Sequence, residues 1–185
     1  MKGDKFKNKY KIKSTRLQNW DYGNNGYYFV TICTKNKNKY FGEIENREMI
    51  LNDIGKIAEK YWLEIPKHFD FVLLDEFVIM PNHIHGIIII NKNDIFSSLH
   101  KTQDIASLLR SNKKNKFGVQ SKNLASIIRG FKIGVTKYAN QNSIPFRWQP
   151  RFYDRIIRVE IELSNIREYI AFNPVKWQKD ENFVN

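Results

Sequence analysis

Cysteine is almost absent from this 185-residue chain, in which Cys33 is the single example. One cysteine excludes an intrachain disulfide, and it excludes metal sites built on paired thiolates. Long apolar runs are also missing, because no stretch approaches the about 18 apolar residues that mark a membrane-spanning helix. The N-terminal residues are polar and basic and lack the apolar segment of a secretion signal. These absences predict a cytoplasmic protein that makes no contact with a membrane.

Acidic residues are scarce as well. The chain has 19 Asp and Glu against 31 Lys and Arg, which gives a formal net charge of +12. Such an excess favours a polyanionic partner, nucleic acid before a membrane surface, although a solvated basic surface without a partner also fits. No glycine-rich loop of the type that holds nucleotide phosphates is present, so we expect no nucleotide cofactor.

The hydrophobic patterns predict an α+β fold, with elements in the order β-β-α-β-β-α-β-α. Strands are expected at 27–34, 69–80 and 83–90, a short strand or hairpin between the first two, and a further strand within 146–158. Helices are expected from about 53 to 65, at 123–141 and at 159–172. The turn at Pro81-Asn82 joins 69–80 to 83–90 as a hairpin. The result is an antiparallel sheet with helices packed on it.

Composition divides the chain into three parts. Residues 1–19 form a basic, flexible arm, 20–177 form a single domain and 178–185 form a tail. Within the domain, residues 91–122 are polar and rich in Lys, Asn and Ser, which predicts an insertion or a mobile loop.

Two histidines, His83 and His85, lie in the otherwise apolar stretch FVIMPNHIHGIIII. Residues i and i+2 of a strand point to the same face and lie about 6–7 Å apart, so the two imidazoles can converge on one metal ion while Ile84 points into the core. A bare His-x-His motif also fits two partly exposed histidines with no chemical role. Placing both in a strongly apolar strand is costly unless something uses them, which favours the metal site.

Tyr169 and Asn173 are four residues apart near the C-terminus, so on a helix they lie on the same face. Tyr169 offers a phenolic nucleophile, and Asn173 offers an amide oxygen to a metal. Pro174 disfavours helical backbone at Asn173, which loosens the turn there. The alternative is that Tyr169 is a core aromatic residue and Asn173 a helix cap.

Several separated motifs resemble a known family. The segments MPNHIHGII, WQPRFYDRIIR and REYIAFNPVKW, with WDYGNNGYYFVTICT before them, are similar in order and spacing to those of the REP-associated tyrosine transposases. These proteins belong to the single-tyrosine HUH transposase superfamily. The resemblance extends from about Trp20 to Trp177, and residues 91–122 depart from it.

The resemblance implies a ferredoxin-like antiparallel sheet, with a late helix that carries the tyrosine, and it makes 20–177 an HUH transposase-like catalytic domain. It places the catalytic tyrosine at Tyr169 and the ligands of a divalent metal, Mg²⁺ or Mn²⁺, at His83, His85 and Asn173. Members of the family bind single-stranded DNA with hairpin structure and cleave one strand beside the hairpin through a covalent 5′-phosphotyrosine. The superfamily includes monomers and homodimers, so both states stay open. No general base for Tyr169 is evident in the sequence.

Contacts to DNA are expected from basic side chains and from aromatic rings that stack on unpaired bases. The candidates are Arg16, Arg129, Lys132, Arg147, Trp148, Arg151, Tyr153 and Arg155. Each also fits a solvated charge or a core aromatic residue. Tyr153 is in addition the rival nucleophile, but it lies in a strand-like segment with no amide one helical turn later.

Three other functions are weaker alternatives. A non-catalytic, domesticated protein that binds DNA hairpins would keep the positive charge and lose the metal. A histidine-triad nucleotide hydrolase needs a third alternating histidine, where this chain has Ile87. A phosphoesterase with two His-x-Thr/Ser motifs does not fit, because the chain has only one such triplet, His100-Lys101-Thr102.

Overall fold

The computed structural model describes Leu17 and residues 20–92 and 121–184. Six strands occur there: β1 (Gly26–Cys33), β2 (Gly42–Glu45), β3 (Glu48–Leu51), β4 (Val72–Met80), β5 (His83–Ile90) and β6 (Tyr153–Ile157). The helices are α1 (Asp53–Leu63), α2 (Ile65–His68), α3 (Leu124–Gln141) and α4 (Glu160–Ala171). The predicted α+β class is confirmed. The basic arm, Leu17 aside, and residues 93–120 of the polar segment lie outside the described residues.

A four-stranded sheet with the order β4-β5-β1-β6 forms the centre of the fold. Every neighbouring pair is antiparallel, and β4 and β5 form the predicted hairpin across Pro81-Asn82. The short pair β2 and β3 forms a separate two-stranded hairpin. Asn46 and Arg47, both at positive φ, make its tight turn, as hairpins of this length require.

Strands β1 and β5 occupy the middle of the sheet and are buried on both faces, which explains why they are nearly all apolar. Their side chains alternate between two cores. Tyr28, Val30 and Ile84 enter the larger core, while Phe29 and Ile87 enter the smaller one. The histidines of β5 point to the same face as Ile87 because the alternation has a period of two.

Helices α1 and α3 cover the face of the larger core. Trp62 of α1 is fully buried there, and its ring meets Phe131 of α3 edge-on at 5.4 Å between centroids. Each helix begins at an asparagine whose side chain caps its first turn, Asn52 for α1 and Asn123 for α3. No described helix is both long and apolar enough to cross a membrane.

Helix α4 covers the opposite face, with Leu163 and Ile170 in the smaller core. Arg167 fixes this helix to β4 through paired hydrogen bonds to Asp75, with a distance of 2.9 Å between Nε and Oδ1. Asp75 lies where the pairing of β4 with β5 is interrupted by a bulge between Leu74 and Phe77. The anchored helix ends at Ala171, two residues before Asn173.

Candidate functional site

His83 and His85 point from β5 into the smaller-core face, where both are buried, at 0% and 3% exposure. Their rings lie 4.4 Å apart between centroids, at an interplanar angle of 72°. Phe29 stacks on His85 at 5.4 Å, and Trp177 packs against His83 at 5.9 Å. The two imidazoles are therefore held close together by aromatic rings on either side.

Hydrogen bonds to the Nδ1 atoms orient both rings. Asn82 uses its amide group to donate to the carbonyls of Lys37 and Asn182, at 3.1 and 2.8 Å, so its Oδ1 is the acceptor for His83 Nδ1 at 2.8 Å. The proton of neutral His83 is thus on Nδ1, and the lone pair is on Nε2. Thr31 Oγ1 lies 2.9 Å from His85 Nδ1 and orients that ring. Metal-binding histidines commonly have such partners.

The structure brings Tyr169 to this pair of imidazoles. Its hydroxyl lies 3.1 Å from His85 Nε2, although the residue as a whole is 41% exposed. Asn173 lies just beyond the end of α4 and is buried at 2% exposure. Both side chains contact the same oxygen of Asp180, so the residues four apart in sequence are neighbours in space.

Asp180 is a residue that the sequence did not identify. Its carboxylate oxygens lie 3.9 Å from His83 Nε2 and 3.7 Å from His85 Nε2, and its side chain is 1% exposed. Oδ2 accepts hydrogen bonds from the Tyr169 hydroxyl at 3.1 Å and from Asn173 Nδ2 at 2.9 Å. No sequence pattern indicates this, since Asp180 belongs to the expected tail and the two histidines that it faces lie far earlier in the chain.

The surroundings of these groups change their acidity. Burial, followed by the neighbouring His85, lowers the pKa of His83 to about 3, so that ring is neutral at pH 7. Burial and the negative charge of Asp180 raise the pKa of the Tyr169 hydroxyl well above its usual range. Burial also tends to raise the pKa of Asp180, but interactions with His85 and Asn173 outweigh it and hold the carboxyl below its usual range. The site thus contains one ionised carboxylate beside a protonated phenol.

The residues present fit a divalent metal ion. The ligand atoms of His83, His85 and Asp180 all lie within 4.8 Å of one another. His83 Nε2 and Asn173 Oδ1 are buried and have no hydrogen-bond partner among the described residues. Buried polar atoms without partners are rare because they are costly, and a bound cation is one way to satisfy such an atom. Imidazole nitrogen with carboxylate and amide oxygen is a suitable donor set for such an ion.

The predicted DNA-contacting residues differ in how free their side chains are. Lys132 donates to the carbonyls of Gln149 and Arg151, and burial lowers its pKa to about 8. Trp148 is half-buried, and its indole nitrogen donates to the Lys132 carbonyl. The polar groups of these two side chains bind backbone carbonyls and hold the segment before β6 in place. They are therefore less available to bind DNA.

The remaining candidates lie nearer the surface. Arg129, Arg147 and Arg151 are exposed, and Arg155 is exposed but paired with Glu162 at 2.6 Å. Tyr153 is 47% exposed on the edge strand β6. It pairs with Thr31, which in turn pairs with His85, so Tyr153 and His85 face the same side of the sheet. Arg16 lies outside the described residues.

Comparison with known proteins gives two relatives from Haemophilus influenzae. An "Uncharacterized protein" is 42% identical over 174 residues, which cover 94% of this chain and 93% of that protein. A "Putative REP-associated tyrosine transposase" is 26% identical over 156 residues, which cover 84% of this chain and 74% of that protein. No family model matches the chain.

A solved structure has the same fold. It is a REP-associated tyrosine transposase bound to a REP hairpin, with a TM-score of 0.55 and 18% identity, over 89% of this chain and 74% of that one. At this identity the likeness concerns the fold, and it confirms the predicted architecture. The chain therefore belongs to one family with the uncharacterized Haemophilus influenzae protein, and its predicted resemblance to the REP-associated tyrosine transposases is confirmed.

Proposed function

We propose that this chain is a metal-dependent single-stranded DNA endonuclease and strand transferase that acts beside DNA hairpins. One observation carries the proposal: the Tyr169 hydroxyl lies 3.1 Å from His85 Nε2, at the edge of a buried cluster suited to a cation. The resemblance to a transposase bound to a REP hairpin supports hairpin DNA as the partner. The net charge of +12 agrees with a polyanionic substrate.

The reaction is a transesterification at one phosphodiester. The Tyr169 oxygen forms a bond to phosphorus as the bond between phosphorus and the 3′ oxygen breaks. The phenolic proton is lost and the 3′ oxygen gains one, which leaves a 5′-phosphotyrosine and a free 3′-hydroxyl. A 3′-hydroxyl can reverse the step and rejoin strands, because the covalent link keeps the bond energy. No nucleotide cofactor is then needed.

His83, His85 and Asn173 are the proposed ligands of a divalent ion, Mg²⁺ or Mn²⁺. When bound, such an ion supplies positive charge to the phosphate oxygens as negative charge develops on them. Asn82 and Thr31 keep the two imidazoles oriented. The side chain of Asn173 lies near that of Tyr169, because Tyr169 is in the last turn of α4 and Asn173 is two residues beyond its end. Both side chains contact Asp180 Oδ2.

The arrangement also supplies acceptors for the phenolic proton of Tyr169, whereas no general base was evident from the sequence. The Tyr169 hydroxyl lies 3.1 Å from Asp180 Oδ2 and 3.1 Å from His85 Nε2. A general base has to lie within hydrogen-bonding distance of the proton that it removes. Both atoms meet this requirement, but the lowered pKa of Asp180 makes its carboxylate a weak base by itself.

The test is formation of a covalent adduct. The protein is incubated with a mixed library of labelled single-stranded hairpins and Mn²⁺ or Mg²⁺, and adducts are resolved on a denaturing gel. Wild type is expected to form an adduct, and Tyr169→Phe is expected to form none while it binds the hairpins as tightly. Tyr153→Phe removes the hydroxyl of the rival nucleophile and keeps the ring that could stack on bases. It is expected to form the adduct.

An adduct with Tyr169→Phe would reject Tyr169 as the nucleophile. Hairpin binding by wild type without an adduct in either ion would support the alternative of a non-catalytic DNA-hairpin-binding protein. His83→Ala separates these outcomes further, because loss of the metal site should abolish the adduct without removing the positively charged surface.

A further inference from the structure

The C-terminal segment, residues 177–184, folds back over the start of β5. A single helical turn at Trp177–Lys179 begins it, and Trp177 is 7% exposed against the ring of His83. The Asn182 carbonyl accepts a hydrogen bond from Asn82 at 2.8 Å, and Lys37 donates to the Glu181 carbonyl at 2.6 Å. Asp180 is thereby fixed above the two imidazoles.

We propose that Asp180 is a ligand of the metal ion and that Asn173 chiefly positions it. This inference rests on the proposed metal-dependent function and changes its ligand set. The metal centre would then be formed by β5 and the C-terminal segment together, and it would be incomplete without that segment.

The distances between donor atoms support ligation by Asp180. Ligands about 2.0–2.2 Å from a metal ion lie about 3–4 Å from one another. Asp180 Oδ1 is 3.9 Å from His83 Nε2, and Oδ2 is 3.7 Å from His85 Nε2. These separations are too long for hydrogen bonds, yet all three side chains are almost completely buried. The carboxylate lies where a bridging cation would fit.

An unpartnered atom provides independent support. His83 Nε2 is buried, has no hydrogen-bond partner among the described residues and carries a lone pair, because Asn82 fixes the proton on Nδ1. That nitrogen faces an ionised carboxylate at 3.9 Å, an arrangement that is unfavourable for both groups without a cation between them. Ligation of one ion by both groups removes the conflict.

The contacts of Asn173 fit an orienting role. Its Nδ2 donates to Asp180 Oδ2 at 2.9 Å, while the Asn182 backbone N–H donates to Oδ1 at 2.6 Å. These two bonds, one to each oxygen, help to fix the plane of the carboxylate, and carboxylates that bind metals are commonly hydrogen-bonded in this way. Asn173 Oδ1 is buried and has no hydrogen-bond partner among the described residues, so it is available as an additional metal ligand.

A carboxylate also changes which ions the site prefers. Two imidazoles and one carboxylate favour first-row transition ions over Mg²⁺, which prefers oxygen ligands and retains its waters. Mn²⁺ is therefore the better probe of this site.

The test measures Mn²⁺ binding to the DNA-free protein by electron paramagnetic resonance, where free Mn²⁺ gives the signal. Asp180→Asn keeps the shape of the side chain, and Asp180→Ala removes it. Both are expected to weaken Mn²⁺ binding by at least about 10-fold, the least that loss of a group orienting the ligands costs. Glu181→Gln is the matched control, because it removes one negative charge at the next, exposed residue and should bind Mn²⁺ like wild type. Circular dichroism establishes that each variant is folded.

The outcomes separate the two proposals. Wild-type affinity in both folded Asp180 variants, with loss of binding in His83→Ala, would overturn the role of Asp180 and leave the proposed function intact. No Mn²⁺ binding by wild type would overturn both. A crystal structure of wild type with Mn²⁺ gives a readout that needs no variant: an Asp180 oxygen is expected about 2.2 Å from the ion, and a carboxylate outside the coordination sphere would overturn the assignment.

Discussion

At the scale of single residues, Gly86 shows how closely the sheet fits its helices beside the site. It follows His85 in β5 and points to the opposite face, where Trp62 of α1 lies. A Cβ added to Gly86 would lie 2.3 Å from the Trp62 ring. Any larger residue would push α1 away from the strand that carries both histidines.

Gly86→Ala is therefore expected to lower the free energy of unfolding by about 1–3 kcal/mol, the usual cost of overpacking a core. Urea denaturation followed by tryptophan fluorescence measures it. Gly130→Ala in α3 is the matched control, since its added Cβ meets Phe69 at an ordinary 3.5 Å. That variant should gain about 0.5–1 kcal/mol from helix propensity. Equal stability of the two variants would contradict this account of Gly86.

The residues of the candidate site differ in how far the sequence could predict them. The period of a strand suffices to place His83 and His85 on one face, and the period of a helix suffices to place Tyr169 near Asn173. Asp180 follows no such period. Its position depends on contacts of Asn182 and Trp177 with residues about 95–100 positions earlier in the chain, which local patterns do not encode. The roles of Tyr169, His83, His85 and Asn173 stay predictions.

At the scale of elements, the position of α4 determines where Tyr169 lies. Arg167 and Tyr169 are two residues apart on that helix, and Arg167 is bound to Asp75 at the bulge of β4. Burial alone would raise the pKa of Asp75, but the hydrogen bonds and charge of Arg167 outweigh it and hold the pKa below its usual range. The pair thus ties the helix that carries Tyr169 to an edge strand.

Asp75→Asn is expected to reduce stability by about 1 kcal/mol at pH 7, since Arg167 is 41% exposed and water screens the pair. A depressed carboxyl pKa stabilises the fold above the unfolded pKa of about 3.9, and that contribution disappears as pH falls through the folded pKa. The difference from wild type should be constant from pH 5 to 7 and shrink below about pH 4. Thermal unfolding across this range measures it.

Glu160→Gln serves as the control for that pair. Glu160 lies 4.0 Å from Arg167, but its side chain is 68% exposed, so this pair should contribute almost nothing. Glu160→Gln should therefore cost less than Asp75→Asn, a loss limited to the interaction of the Glu160 charge with the start of α4. A loss of stability from Glu160→Gln equal to that from Asp75→Asn would mean that total charge, and not the anchoring contact, explains the effect.

Most elements could be predicted from pattern, because the two central strands are apolar on both faces and the helices have clear starting residues. The predicted strand 83–90 coincides with β5, and the predicted final helix 159–172 differs from α4 by one residue at each end. The pairing of β6 with β1 could not be predicted, since it joins residues more than 120 positions apart. The bulge in β4 likewise depends on tertiary contacts.

At the scale of the whole molecule, the excess of positive charge dominates any encounter with DNA. The formal net charge is +12, and the exposed arginines of the described fold include Arg129 and Arg151, on the side near α3. Each phosphate neutralised on a single strand contributes about −0.7 to the slope of log K against log salt.

Hairpin binding by Tyr169→Phe is expected to weaken at least about tenfold between 50 and 200 mM KCl, as three or more phosphate contacts require. Fluorescence anisotropy measures the affinity, and use of this variant avoids cleavage. Arg129→Gln should reduce the slope by about 0.7 if it contacts one phosphate. A flat response to salt would contradict nucleic acid as the partner.

The position of Cys33 has a practical consequence. Its thiol donates to Asn182 Oδ1 at 3.6 Å, and burial raises its pKa, so it lies beneath the C-terminal segment in its less reactive form. As no other thiol exists in the chain, an alkylating reagent has one target without any engineering. The rate of alkylation of the folded protein, divided by the rate for the urea-unfolded chain, therefore reports how often residues 177–184 move away from the imidazoles.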